Sequence, residues 1–236
     1  MTNQQVSILI PCFNTPKAWL TQCLNSVFGQ VYSNYEIVIV NDKSTNEDTL
    51  QFLKEIKDIK NVVIVNNKEN VGIGTSLNNG LKSCSNELVF RLDSDDIAYP
   101  QRLQKQLEYL EANPNVNLIG TGLKYYVNQG NNLWCASNDV VIHPPVITKD
   151  VAKNSNWFVN HPTVLYKKSE ILSIGGYRED LRGLPEDFDL WLRMIKNGMI
   201  LHNMQESLLY LRINPKSLSN TNKHVFEFCK KLRDEL

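Results

Sequence analysis

The chain carries no surplus of charge: its 236 residues include 25 Lys and Arg against 25 Asp and Glu. With no global field, nucleic acid is not expected as a partner, and an anionic ligand would have to be held locally. Long apolar runs are missing too. None reaches the roughly 18 residues that a membrane span needs. The opening MTNQQVSILIPCFN has no basic segment ahead of its short apolar run, so neither a signal peptide nor a span is expected there. Cysteine is sparse. Cys12, Cys23, Cys84, Cys135 and Cys229 are odd in number and lack C-x-x-C spacing, which predicts reduced thiols and a cytoplasmic setting. The closing Arg233-Asp234-Glu235-Leu236 resembles an ER-retention signal, but without a leader such an address has no use, and it reads as coincidence. Phosphate-cradling glycine motifs are absent as well. There is no G-x-x-x-x-G-K-[ST] loop, and Gly72-Ile73-Gly74 lacks the following glycine of a dinucleotide fingerprint, so P-loop and Rossmann dehydrogenase readings lose their main support.

What is present is length and alternation. Hydrophobic residues make up 42% of a chain long enough to bury a substantial core, and no linker rich in Pro, Gly or Ser divides it, so one compact unit spanning 1–236 is expected. Residues 6–10, 36–40, 62–65 and 87–91 are short β-rich runs. Between them lie helical periodicities: Leu20, Cys23, Leu24, Val27 and Phe28, with Thr15 placed to cap and Pro16 at the first helical position; then Leu50, Leu53 and Ile56; then Leu77, Leu81 and Cys84. This βαβαβαβ order predicts an α/β protein with a mostly parallel sheet and helices on both faces. Ligands of such sheets bind at the carboxyl ends of the strands, so the loops at 11–14, 41–45, 66–75 and 93–96 should converge on one cleft. The second half is less regular. A helix with Leu103, Leu107 and Leu110 should stop before Pro114, strands are expected near 117–121 and 163–166, and 128–138 reads as a polar stretch. A helix carrying Phe188, Trp191, Leu192 and Ile195 on one face should start at Glu186 and Asp187 and end at Gly198.

The stretch RLDSDD at 91–96 puts three carboxylates into four positions at a strand end. Like charges that close repel unless something positive sits among them. Helix capping explains one or two of them cheaply. A hard divalent cation explains all three, because Mg2+ or Mn2+ takes oxygen ligands and is commonly held by one or two carboxylates with substrate phosphates.

VSILIPCFN, EIVIVNDKST, NVGIGTSLNNGL, VFRLDSDD and PEDFDLWLRM occur in the order and approximate spacing of family 2 glycosyltransferases, which the chain resembles from about Val6 to Asn214. The resemblance implies a GT-A fold and inverting transfer from a nucleotide sugar. It divides the chain into a nucleotide-sugar-binding half (1–98), an acceptor-binding and catalytic half (99–221) and a C-terminal amphipathic helix (222–236). The D-x-D-D cluster with a downstream Glu-Asp pair resembles the bacterial galactosyl- and glucosyltransferases that extend lipid-diphosphate-linked sugars in O-antigen and capsule assembly.

Carried over motif by motif, the resemblance implies that Pro11 and Asn14 line the nucleotide and that Asp42 accepts a hydrogen bond from uracil; a turn-forming Asp is the alternative for Asp42. Asp93 would lie close to ribose and metal, Asp95 would bind the ion directly, and Asp96 would orient donor sugar or acceptor. Phe13, Gly74 and Ser94 fall in the same motifs and count as substrate-binding. Asp187, with Glu186 as runner-up, would be the base that takes the acceptor hydroxyl proton; acidity at a helix start is the plain alternative. His161 would contact acceptor or donor sugar and Arg212 a phosphate, against a satisfied core histidine and a surface arginine. Two departures stand out: Lys43 and Pro185 occupy positions where relatives usually carry glycine.

The expected partners are a UDP-sugar and a glycan or lipid-linked glycan, with Mn2+ or Mg2+ as cofactor. Trp134, Trp157 and Trp191 are candidates to stack on sugars, although Trp191 sits on an apolar helical stripe. The C-terminal helix could pack on its own domain, the favoured reading, touch a membrane peripherally, or pair with another subunit in a homodimer. A sugar nucleotidyltransferase is a rival, but it would want a basic glycine-rich loop after the first strand. A non-catalytic glycan-binding module is the other.

Overall fold

The computed structural model describes residues 4–130, 133–214 and 225–236. Its first half is built from β1 (Val6–Cys12), β2 (Tyr35–Asn41), β3 (Val62–Asn66) and β4 (Leu88–Arg91), linked by α1 (Lys17–Phe28), α2 (Glu47–Ile56) and α3 (Ile73–Ser83). This is the alternation read from the sequence. β1 lies between β2 and β4, with Ile8 opposite Ile37 on one side and Phe90 on the other. A strand so placed is covered on both faces, which is why it reads as a continuous apolar run. Its side chains alternate between two core layers: Ile8 and Ile10 meet Leu20, Leu24 and Val27 of α1, while Leu9 meets Leu77 and Leu81 of α3. Close approach of α3 depends on Gly80. A Cβ there would stand 2.3 Å from Leu9 Cδ1 and 2.8 Å from Val40 Cγ2.

The second half runs β5 (Ile97–Ala98), α4 (Arg102–Ala112), β6 (Leu118–Asn128), β7 (Trp134–Val141), β8 (Val146–Ile147), α5 (Lys149–Asn154), a 3-10 turn at His161–Thr163, β9 (Leu165–Lys167), α6 (Lys168–Ser173), α7 (Glu186–Lys196), β10 (Leu201–Arg212) and α8 (Val225–Asp234). All of its strands join one sheet of order β3-β2-β1-β4-β9-β6-β10-β5, with β7 against β6 and β8 against β10. β9 runs antiparallel to both β4 and β6, and β10 is parallel to β6. The two reversals cancel, so β1 to β4, β6 and β10 all end at the same edge of the sheet. Arg212, the last residue of β10, thereby shares an edge with the acids that follow β4.

Local expectations needed correction. α1 starts at Lys17 with Pro16 in the cap position, and the Thr15 hydroxyl is engaged by Ser94 Oγ at 2.7 Å instead of capping the helix. The polar stretch at 128–138 contains the start of β7, a strand of half-exposed and exposed residues on the margin of the sheet, which leaves no apolar alternation to read. α7 ends as expected, with Gly198 in the left-handed region at φ 77°. The C-terminal helix is seen from Val225; its expected start at 222 lies outside the described residues. Cys229, Val225 and Leu232 pack into the core layer shared with α7, so this helix rests on its own chain. Among the described residues no helix is long and apolar enough to cross a membrane.

Candidate active site

The strand-end acids answer part of their own charge problem. Arg91, the last residue of β4 and fully buried, makes a bidentate pair with Asp93, Nη1 to Oδ2 at 2.7 Å and Nη2 to Oδ1 at 2.6 Å. Among the described residues, Asp95 and Asp96 have no such partner. Burial first, then Asp93, pushes Asp95 up to about 6; burial, then Asp95 and Asp93, pushes Asp96 well above the carboxylate range. Asp96 Oδ1 accepts the Arg212 backbone N–H at 2.8 Å, while its Oδ2 is buried without a partner among the described residues. Ligand atoms of Asp93, Asp95 and Asp96 lie within 4.8 Å of one another. An all-oxygen set of three close carboxylates, with one buried oxygen left without a partner among the described residues, fits Mg2+ or Mn2+.

A second acidic cluster stands at the N-terminus of α7. Glu186 and Asp187 are both buried there, with His161 from the 3-10 turn beside them. Glu186 is raised to about 8, by burial and then by Asp187. Asp187 is raised to about 6 by burial, opposed by the Phe188 N–H donated to its Oδ1 at 2.8 Å and by Arg91. Asp93 also raises both groups, so the two clusters feel one another with Arg91 between them. Pro185 precedes the pair at φ −71°, which the proline ring accepts without strain, so glycine is not needed there.

Asp42 is where the structure departs most from expectation. Its Oδ1 accepts from Asn67 Nδ2 and the Val71 N–H, both at 2.9 Å, and its Oδ2 accepts from Asn70 Nδ2 at 3.0 Å and the Gly72 N–H at 2.9 Å. Both oxygens are filled by the loop that leads into α3, so a base edge would have to displace a protein donor. Lys43, next in sequence, takes φ 58°: the backbone adopts the left-handed conformation that glycine would take freely. Asn14, at φ 50°, spends its side-chain oxygen on the Thr45 and Asn46 N–H groups at 2.7 and 2.9 Å. Pro11 is half-buried and Phe13 is 51% exposed at the same strand-end edge. Gly74 is buried under the segment leading into α7. A Cβ there would lie 3.0 Å from the Arg178 carbonyl oxygen and 3.7 Å from Glu186 Cβ, so its open side faces that segment and not a ligand.

His161 and Arg212 both turn inward. The imidazole faces Tyr177 and the two carboxylates, the arrangement of the core-histidine alternative. Arg212 is no surface residue: Nε donates to the Asp95 carbonyl at 2.8 Å, Nη2 donates to Gln22 Oε1 at 2.5 Å, and the guanidinium lies 4.6 to 5.0 Å from the rings of Trp134, Trp19 and Tyr126. Its Nη1 is buried without a partner among the described residues. Trp134 is thus part of an aromatic box around Arg212, Trp157 stacks on Phe188 at 5.5 Å, and Trp191 is core. An open groove of about 560 Å3 between α1 and β5, lined by Gln22, Tyr99 and Tyr210 among others, adjoins Arg212 through Gln22 and does not include the acids. Sequence reasoning missed Arg91, although it opens the RLDSDD stretch, and missed the Asn67 and Asn70 side chains that hold Asp42.

Comparison with known proteins adds three findings. The model of the family described as glycosyl transferase family 2 matches residues 7–171. Among curated proteins, the chain is 33% identical over 211 residues to the amylovoran biosynthesis glycosyltransferase AmsE of Erwinia amylovora, covering 87% of this chain and 75% of that one. It is 28% identical over 202 residues to an Escherichia coli UDP-Gal:alpha-D-GlcNAc-diphosphoundecaprenol beta-1,3-galactosyltransferase, covering 84% and 70%. Among solved structures, S. aureus TarS 1-349 in complex with UDP-GlcNAc superimposes with a TM-score of 0.75 at 19% identity, over 97% of this chain and 65% of that 1-349 chain. The chain therefore spans about two thirds to three quarters of these relatives, and the shared sheet and helices are those of the GT-A fold.

Proposed function

Because the chain belongs to glycosyl transferase family 2, we propose that it moves a hexose, galactose or glucose, from a UDP-sugar to a hydroxyl of a lipid-linked oligosaccharide in surface-polysaccharide synthesis, with inversion. The observation that carries this is the pair of acidic clusters at one edge of the sheet, one suited to a cation and the other to a proton. The names of the relatives point the same way: amylovoran assembly, a UDP-galactose donor with a diphosphoundecaprenol-linked acceptor, and a neighbour crystallised with UDP-GlcNAc.

A divalent ion held by Asp93 and Asp95 would supply Lewis-acid neutralisation of charge on the departing nucleoside diphosphate. Asp96, tied to the β10 backbone, orients donor or acceptor through its free oxygen. Asp187 is the member of the pair whose carboxylate accepts the Phe188 N–H at the start of α7, which favours its ionised form. It can therefore accept the proton of the attacking hydroxyl on the side away from the leaving group. Arg91 balances both clusters from beneath. Phe13 and Pro11 offer the nucleotide an apolar surface, and the saturated Asp42 shapes the loop around it.

The test is nucleotide release from a panel of UDP-sugars with Mn2+ and a glycan-diphosphate-lipid acceptor, run beside Asp95→Ala and Asp187→Ala. Loss of turnover by about 100-fold or more in both is expected. Full activity in both variants would remove the mechanism.

A further inference from the structure

His161 is a titratable group at the site that the chemistry above leaves unused. Its ring is buried, with Trp191 edge-on at 5.6 Å. Nε2 lies 3.0 Å from the Tyr177 hydroxyl, and Nδ1 faces Glu186 Oε1 at 3.6 Å and Asp187 Oδ2 at 3.8 Å. Burial, helped by Arg91, holds the imidazole neutral, so it carries a single N–H. A phenol can either donate or accept, whereas an ionised carboxylate only accepts. Toward an ionised Asp187, which only accepts, the arrangement that presents a donor puts the proton on Nδ1 and has the Tyr177 O–H donate to Nε2. Tyr177 is itself fixed: its N–H donates to Asn78 Oδ1 at 2.9 Å and its carbonyl accepts from Asn78 Nδ2 at 2.8 Å.

We propose that His161, locked as the Nδ1–H tautomer by Tyr177, is a positioning residue that aims a hydrogen-bond donor at the Glu186–Asp187 pair and steadies the anion that receives the acceptor proton. This rests on the reading of Asp187 as the base. Among the described residues, the other charged or titratable groups facing the pair are Arg91 at the end of β4, Asp93 just after it and Cys229 from α8, with Asp189 on α7 already paired by Arg193 at 2.7 Å; Tyr166 of β9 neighbours Tyr177.

Tyr177→Phe removes one oxygen and keeps the ring. Side-chain 15N NMR of the histidines, with His161 assigned by His161→Asn, should find neutral Nδ1–H imidazole at 161 from pH 6 to 8. In Tyr177→Phe the signal should move to Nε2–H or a mixture of tautomers. In kinetics the acidic limb of the Tyr177→Phe pH profile should move up, by less than the roughly one pH unit of a full hydrogen bond to a charged group because Nδ1 stands 3.6 to 3.8 Å from the acids, with donor KM unchanged. His161→Asn, whose amide can place a donor near Nδ1, should retain more activity than His161→Ala. A native His161 that is protonated or Nε2–H overturns the proposal, as does an unmoved pH profile in Tyr177→Phe. The NMR measurement needs no substrate, so failure of sugar transfer with an Nδ1–H His161 would count against the proposed function and not against this tautomer.

Discussion

Asp42 offers the sharpest energetic test, because the structure makes it a keystone of the 67–72 loop where resemblance makes it a base reader. Replacing it with alanine removes the acceptor for four N–H donors, two of them backbone. Hydrogen bonds to a charged group contribute roughly 1.5–3 kcal/mol each. Four bonds to one carboxylate do not add fully; Asn67 keeps its bond to Ser76 Oγ, and Val71 and Gly72 are only half-buried and can recruit water. The expected destabilisation is therefore about 3–4 kcal/mol. Asp42→Asn keeps one acceptor oxygen but sets an NH2 against two donors, and should cost about 2 kcal/mol. Urea unfolding followed by tryptophan fluorescence reads both, with the slope unchanged and the midpoint lowered. A loss below about 1 kcal/mol in Asp42→Ala, with uridine nucleotide affinity sharply reduced, would show that the carboxylate serves the ligand and not the loop.

Other consequences follow from single residues. The folded-state pKa of Glu186, about 8 against an ordinary 4.5, means the native protein holds a proton that the unfolded chain releases, so this group lowers stability as pH rises from about 4.5 to 8. Glu186→Gln should leave the urea midpoint near pH 4.5 unchanged and raise it at pH 8; parallel pH dependences would contradict this. Lys43→Gly should shift stability by less than about 1 kcal/mol, toward stabilisation, since relief of the left-handed backbone is offset by a freer unfolded chain; calorimetric melting checks it. Gly80→Ala forces a methyl against Leu9 and Val40 and should cost about 1–3 kcal/mol by urea titration.

The parts of the fold that were legible are those whose cause is local. β1, β2 and β4 are buried on both faces, so their apolar runs announce them, and the acids at 93–96 stand where a parallel sheet presents ligands. β7 was invisible because a half-exposed marginal strand has no buried face to write an alternation. The site was legible as a set of acids and not as a circuit. Arg91 opens RLDSDD, yet its pairing with Asp93 depends on the turn that follows the strand. Asp42 looked available because its four donors lie 25 to 30 residues downstream. His161 and Tyr177 meet only after the chain passes through β9 and α6, 16 residues apart. Lys43 marked a departure from glycine without showing the backbone it would adopt; the lysine bears the left-handed conformation.

Calorimetric titration of UDP into the protein, with and without Mn2+ and beside Asp95→Asn, tests most directly whether the acids after β4 grip an ion that anchors a nucleoside diphosphate. Binding that strengthens at least tenfold with Mn2+ in the native protein and loses that gain in Asp95→Asn is the predicted result. Equal UDP affinity with and without the metal, unchanged by the substitution, would contradict it.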